Sequence, residues 1–147
     1  MSRSGADLAL LLLGGFRHLS EEAHERLGER GYPGVRPAHD FALRAIEAGA
    51  SSVSEVGRRT SVTKQAAAKT VAFLQDGNYV TSSPDPADGR RTLLTVTARG
   101  YALMNEGEAV FDELRGQWES LVGADRVAEV EDALSRLIGT GSDRPWS

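Results

Sequence analysis

The apolar pattern of this 147-residue chain changes period in its interior and then changes back, and that switch limits the folds open to it. Up to Leu74 the apolar residues recur at steps of three and four, the mark of helices with one buried stripe. From Tyr79 to Val96 they alternate, as in strands, around a tip rich in turn formers, Pro84-Asp-Pro-Ala-Asp-Gly89. From Thr97 the helical period returns. Two strands are marginal on their own, so the hairpin has to lean on helices before and after it. The fold class implied is mainly α with one small β-hairpin.

The first helix is expected from about Ala6 to Arg30, with Leu8, Leu12, Phe16, Leu19, Ala23 and Leu27 on one stripe, closed by Gly31-Tyr-Pro-Gly34. A second starts near Arg36, where Pro37 suits the first turn, and ends by Gly49. Val53 is read as a very short strand, and Ser54 as the N-cap of a short third helix from Glu55 to Thr60. Thr63 caps a fourth helix that runs to about Gly77, with Ala67, Val71 and Leu74 on its apolar face. Asn78 supplies the left-handed residue that closes it. The strands are Tyr79 to Ser83 and Thr92 to Val96. Thr97 caps a long helix carrying Leu103, Val110, Leu114, Trp118 and Leu121. A last helix carries Val127, Val130, Leu134, Leu137 and Ile138, and the tail from Gly139 is expected to fray. No internal repeat or long linker divides the chain.

Composition removes several classes of function. There is no cysteine, so disulfides, thiolate catalysis and cysteine redox sensing are excluded. The longest apolar run, Leu8 to Leu13, is far short of the roughly 18 residues of a membrane span. No basic segment and cleavage site precede it, so it does not read as a signal peptide. A cytoplasmic, membrane-free protein is the expectation. No glycine-rich phosphate loop, nucleophile elbow or close carboxylate pair is present, so an enzyme is not expected, and no cofactor is called for.

The net charge of −4 is unevenly spread. From Ser54 to Gly100 seven cations face four anions, a surplus of three, whereas the rest of the chain has ten cations against seventeen anions. A basic middle between acidic ends suits a protein that turns one face to phosphate. The same middle holds two short helices joined by a tight turn, and the second has a polar, basic leading edge: Thr63, Lys64, Gln65, Ala68 and Lys69. That is a helix-turn-helix, and the arginines beside the hairpin tip make it a winged one. The major groove of DNA admits one helix and is read from that helix's first turns. Lysine can donate to guanine, the glutamine amide can bond adenine at both ends, and a small Ala68 permits close approach.

The chain resembles the MarR-type regulators. The stretch from Ser54 to Leu74 is similar to that family's helix-turn-helix, and Asn78-Tyr-Val80 to its glycine-aromatic-valine approach to the wing. Asp85-Pro-Ala-Asp-Gly-Arg-Arg91 is similar to its wing signature, and Leu94-Thr-Val-Thr-Ala-Arg-Gly100 to its Leu-Thr-x-x-Gly lead into the next helix. The resemblance spans about residues 6 to 138. Ala68 stands where many relatives carry a polar residue, and Asn78 where they carry glycine. The resemblance implies one unit, residues 1–147. Its winged helix-turn-helix lies at about 35–100, flanked by dimerisation helices at about 6–30 and 98–138. It implies a homodimeric, sequence-specific regulator, a repressor on a palindromic double-stranded DNA operator, released by a small aromatic or anionic effector. By resemblance, Asp88 pairs with Arg90 to brace the wing, one or both of Arg90 and Arg91 enter the minor groove, and Arg58 and Lys69 match positions that often touch DNA in the family.

Several residues stay outside that reading. His18, Glu22 and His39 can be imagined as a metal site, but a His-x-x-x-Glu spacing is common on solvated helix faces and no metal is expected. Phe16, Phe41, Phe111 and Trp118 are read as core or dimer packing. The family analogy offers an effector pocket instead, with Phe16, Arg17 and His39 in its lining. A winged helix used only for protein–protein assembly is the competing function. It would not need Arg90 and Arg91, and its binding would not follow salt as DNA binding does.

Overall fold

In the computed structural model, which describes residues 2–139, a capping box at Ser4 opens the first helix. The Ser4 hydroxyl accepts the Asp7 N–H at 3.1 Å while the Asp7 carboxylate accepts the Ser4 N–H at 2.9 Å. The helix, α1 (Gly5–Glu29), buries only the end of its apolar stripe, Ala23 and Leu27. Leu8, Leu12 and Phe16 stay 59%, 46% and 49% exposed. The expected tail beyond residue 139 lies outside the described residues.

Pro37 occupies the first turn of α2 (Pro37–Glu47), which supplies Ala42, Leu43, Ala45 and Ile46 to the core. The strand expected at Val53 does not form. Val53 is instead the first residue of α3 (Val53–Arg59), capped by Ser52 rather than Ser54. The reason is a pair of bonds around Glu55: its N–H reaches the Ser52 hydroxyl at 3.2 Å, and its carboxylate accepts the Ser51 N–H at 3.0 Å. One bond remains where the strand was expected, from the Leu94 N–H to the Ser51 carbonyl at 3.1 Å.

A turn through Ser61 (φ 57°) leads to α4 (Lys64–Asp76), where the Thr63 hydroxyl accepts the Ala66 N–H at 3.1 Å. Ala67, Val71 and Leu74 face inward, as their spacing requires. Asn78 closes the helix in the left-handed region (φ 62°). The strands β1 (Val80–Pro84) and β2 (Thr92–Val96) then pair antiparallel, from Val80↔Val96 at the root to Pro84↔Thr92 at the tip.

Thr97 starts α5 (Ala98–Val122) by accepting the Gly100 N–H at 3.1 Å. Gly123 (φ 101°) turns the chain into α6 (Ala124–Ile138). Leu43, Leu74, Leu103 and Leu114 are fully buried, so the core sits where α2, α4 and α5 meet. Arginines clamp the long helices from outside. Arg30 reaches Glu113 at 2.6 Å and Glu106 at 3.2 Å across α1 and α5, and Arg115 reaches Glu131 at 2.7 Å across α5 and α6. Among the described residues no helix is long and apolar enough to cross a membrane.

Candidate nucleic-acid interface

The apolar stripe of α4 fixes which of its side chains face out. With Ala67, Val71 and Leu74 in the core, the helical repeat leaves Gln65 and Lys69 on the opposite side and Ala68 on the flank, while Lys64, in line with the buried stripe, is exposed in the first turn behind the Thr63 cap. Arg58 is exposed on α3. Gly57 lets the two helices close up, since a Cβ there would stand 3.2 Å from the Val62 carbonyl oxygen.

The wing tip is built from backbone bonds. The Asp85 N–H donates to the Arg91 carbonyl at 2.8 Å, and the Arg91 N–H to the Asp88 carbonyl at 3.0 Å. The carboxylates brace the loop: Asp85 accepts the Ala87 N–H at 2.8 Å and Asp88 accepts the Arg90 N–H at 3.1 Å. Asp88 therefore engages Arg90 through its amide, not its guanidinium. Arg90 and Arg91 are exposed with their side chains uncommitted.

At the wing root Arg99 lies over the Tyr79 ring, 4.7 Å from its centre, and over Tyr32 at 5.4 Å. It also donates to the Gly77 carbonyl at 3.1 Å and the Tyr79 hydroxyl at 3.0 Å. Phe73 of α4 continues the stack, 6.4 Å from Tyr79 and 3.9 Å from the His39 imidazole. These bonds hold the wing, α4 and the starts of α2 and α5 as one piece.

Every ion pair among the described residues lies outside residues 54–100, although Arg3, Arg17 and Arg126 there are also without one. Within that segment Arg59 donates to the Ala48 carbonyl at 3.0 Å, a C-cap of α2, and Arg99 is held as described. Arg58, Lys64, Lys69, Arg90 and Arg91 have no carboxylate partner among the described residues. Three of the segment's four acidic residues, Glu55, Asp85 and Asp88, hold backbone amides instead.

This geometry is matched in known proteins. Residues 34–91 fit the model of the MarR family. No curated protein matches the chain in sequence. Among solved structures, the MarR family protein Rv2887 of Mycobacterium tuberculosis, in complex with p-aminosalicylic acid, is 27% identical. The match covers 90% of this chain and 98% of that one, with a TM-score of 0.69. Over residues 34–91 the chain is similar to the MarR family, and its fold is that of the family's winged helix-turn-helix proteins. Reduced MarR from E. coli is similar over 95% of this chain and 99% of its own, with 20% identity and a TM-score of 0.75. CouR from Rhodococcus jostii RHA1, bound to p-coumaroyl-CoA, is similar over 95% and 98%, with 19% identity and a TM-score of 0.70. MarR-family regulators are DNA-binding transcriptional regulators, and the matched residues 34–91 hold α4, β1 and the wing tip.

The remaining candidate residues are not brought together. Phe16 lines a cleft of about 400 Å³ between α1, α2 and α5, with Phe41, Phe111, Asp40 and Arg44 in the same wall. Arg17 is exposed and does not line it, and His39 turns the other way, onto Phe73. The His39 Nδ1 accepts the Arg36 N–H at 2.8 Å. Burial, with the Arg36 charge behind it, lowers the His39 pKa to about 4, so the ring is neutral at pH 7. His18 stacks on Trp118, 6.3 Å between centres, and so does not meet His39 and Glu22. Among the described residues no cluster of three metal-ligating side chains forms. Sequence reasoning passed over Asp40, which burial pushes up while Arg44 pulls it down. Its signal was an i, i+4 Asp–Arg pair inside an otherwise apolar helix, joined at 2.8 Å.

Proposed function

We propose that the protein is a homodimeric repressor that grips an inverted-repeat operator, with α4 reading bases in the major groove and the wing on the flanking backbone. The observation that carries this is the set of unpaired cations on one face, Arg58, Lys64, Lys69, Arg90 and Arg91, in a chain whose other ion pairs all lie elsewhere. Gln65 reads a base pair, Thr63 and the free amides at the α4 start take a phosphate, and Ala68 lets the helix approach. Asp88 fixes the loop that carries Arg90 and Arg91 to phosphate or a narrow minor groove.

Homodimerisation is supported by apolar surface at both ends of the chain. Leu8, Leu12 and Phe16 on α1 and Val130, Leu137 and Ile138 on α6 are all about half exposed or more. A groove of about 550 Å³ between α1, α5 and α6, walled by Trp118, Val127, Val130 and Leu134, adjoins them. Exposed apolar side chains grouped in this way mark an interaction surface. A twofold dimer with two α4 helices needs half-sites about 10 bp apart or a small multiple of one turn. The cleft beside Phe16 is the effector site, in keeping with the small molecules held by the M. tuberculosis and R. jostii proteins. Binding there, between α1, α2 and α5, changes the angle at which the two α4 helices meet DNA and releases the operator.

The test is enrichment of genomic DNA fragments by the purified protein, followed by footprinting of the best fragment. The expected result is a symmetric footprint over an inverted repeat with that spacing. An asymmetric single half-site contradicts the dimeric reading. No enrichment at any salt concentration favours the protein-assembly reading.

A further inference from the structure

We propose that the cleft between α1, α2 and α5 takes a lipophilic cation, an aromatic or aliphatic body carrying a protonated amine. This rests on the effector-cleft reading and adds the charge class of the ligand. Phe16, Phe41 and Phe111 give the cleft an apolar wall. Its ionisable lining is three carboxylates, Asp40, Glu108 and Asp112, against one guanidinium, Arg44. Arg44 is already committed, with its Nε donating to Asp40 Oδ2 at 2.8 Å. Glu108 and Asp112 are exposed, one turn apart on α5, and no ion pair among the described residues includes either.

Asp40 adds an independent observation. It is 3% exposed, and its Oδ1, lying against Gly107, has no hydrogen-bond donor. A buried acceptor without a donor is costly, and more so when charged. Burial foremost, and then the Glu108 charge, push the Asp40 carboxyl up against the pull of Arg44. Asp40 Oδ1 itself faces Gly107, but a cation in the cleft offsets the second effect by favouring the ionised Asp40 beside Glu108. An anion meets three like charges there, with the one guanidinium already taken. Aromatic walls also favour a cation over an anion, because the ring faces are electron-rich.

The experiment is calorimetric titration of the full-length protein with three ligands that share one ring: 2-(1-naphthyl)ethylammonium, 1-naphthylacetate and 2-(1-naphthyl)ethanol. It is repeated on the double variant Glu108→Gln/Asp112→Asn, whose sites are exposed and tolerate the change. The ammonium is expected to bind tightest, and the double variant to weaken it roughly tenfold while leaving the alcohol unchanged. A carboxylate or alcohol that binds wild type as tightly as the ammonium overturns the charge class and leaves the effector cleft standing. Ammonium binding that the double variant does not weaken overturns the location. Binding of none of the three overturns the cleft reading itself.

Discussion

Gly100 sits in the first turn of α5, and replacing it with alanine should destabilise the protein although alanine is the better helix former. A Cβ at Gly100 would collide with the Tyr79 carbonyl oxygen and stand 2.7 Å from Val96 Cγ1. The first of these is backbone and cannot rotate aside. The Tyr79 carbonyl is also the acceptor for the Thr97 N–H at 3.0 Å, the bond that ties the wing root to the helix start. Overpacking of this kind costs about 1–3 kcal/mol, and disturbing the bond adds about 1 kcal/mol. Helix propensity returns about 1 kcal/mol. The net loss is about 2 kcal/mol, which should move a urea midpoint down by about 1 M. Gly28→Ala in α1 is the matched control. No atom lies within 4 Å of its Cβ position, so only propensity acts, and stability should rise by about 0.5 kcal/mol near a helix end. Equilibrium urea unfolding of both variants at fixed protein concentration decides the matter. If Gly100→Ala were as stable as Gly28→Ala, the close approach of α5 to the wing root would be wrong.

His39 titrates near 4 in the fold and near 6.5 in the unfolded chain. The unfolded state therefore binds more protons between those values, and stability falls as pH drops from about 6.5 to 4. With allowance for solvent screening the loss is on the order of 2 kcal/mol. His39→Gln keeps an acceptor for the Arg36 N–H and should flatten that part of a stability–pH curve; an unchanged slope would show that His39 is not its source. Leu12→Glu places a charge on the exposed stripe of α1, which should shift light scattering toward monomer at micromolar concentration, and an undiminished dimer would remove that stripe from the interface. Leu114→Ala empties a fully buried site and should cost about 3 kcal/mol in denaturant unfolding; a loss under about 1 kcal/mol would put Leu114 outside the core.

Periodicity and capping chemistry carry most of the architecture. Ala67, Val71 and Leu74 set the orientation of α4, and Thr63, Thr97 and Asn78 stand where they cap or close helices, because those effects are local. The start of α3 is also local but ambiguous: Ser52 and Ser54 are both good caps, and Glu55 three residues after Ser52 decides between them. What escapes a one-dimensional reading is set by partners far along the chain. His39 is drawn away from the cleft by Phe73, 34 positions on, and Asp40 gains its odd environment from Gly107 of α5. Arg17 fails to reach the cleft for a simpler reason, since the next residue on a helix points about 100° away from Phe16. The outward faces of α4 and the wing were legible because an amphipathic helix with one buried stripe has only one other side to offer.

Base reading by α4 and a backbone grip by the wing are separated most directly in one titration. Wild type, Gln65→Ala and Arg90→Ala are titrated against operator and scrambled duplex at several salt concentrations. Arg90→Ala should weaken both duplexes alike and flatten the salt dependence by about one unit per lost phosphate contact. Gln65→Ala should cost about 1–3 kcal/mol on the operator and little on the scrambled duplex, with the salt slope unchanged. Equal weakening of both duplexes by Gln65→Ala would contradict base reading by α4, and two variants that bind like wild type would contradict the DNA interface altogether.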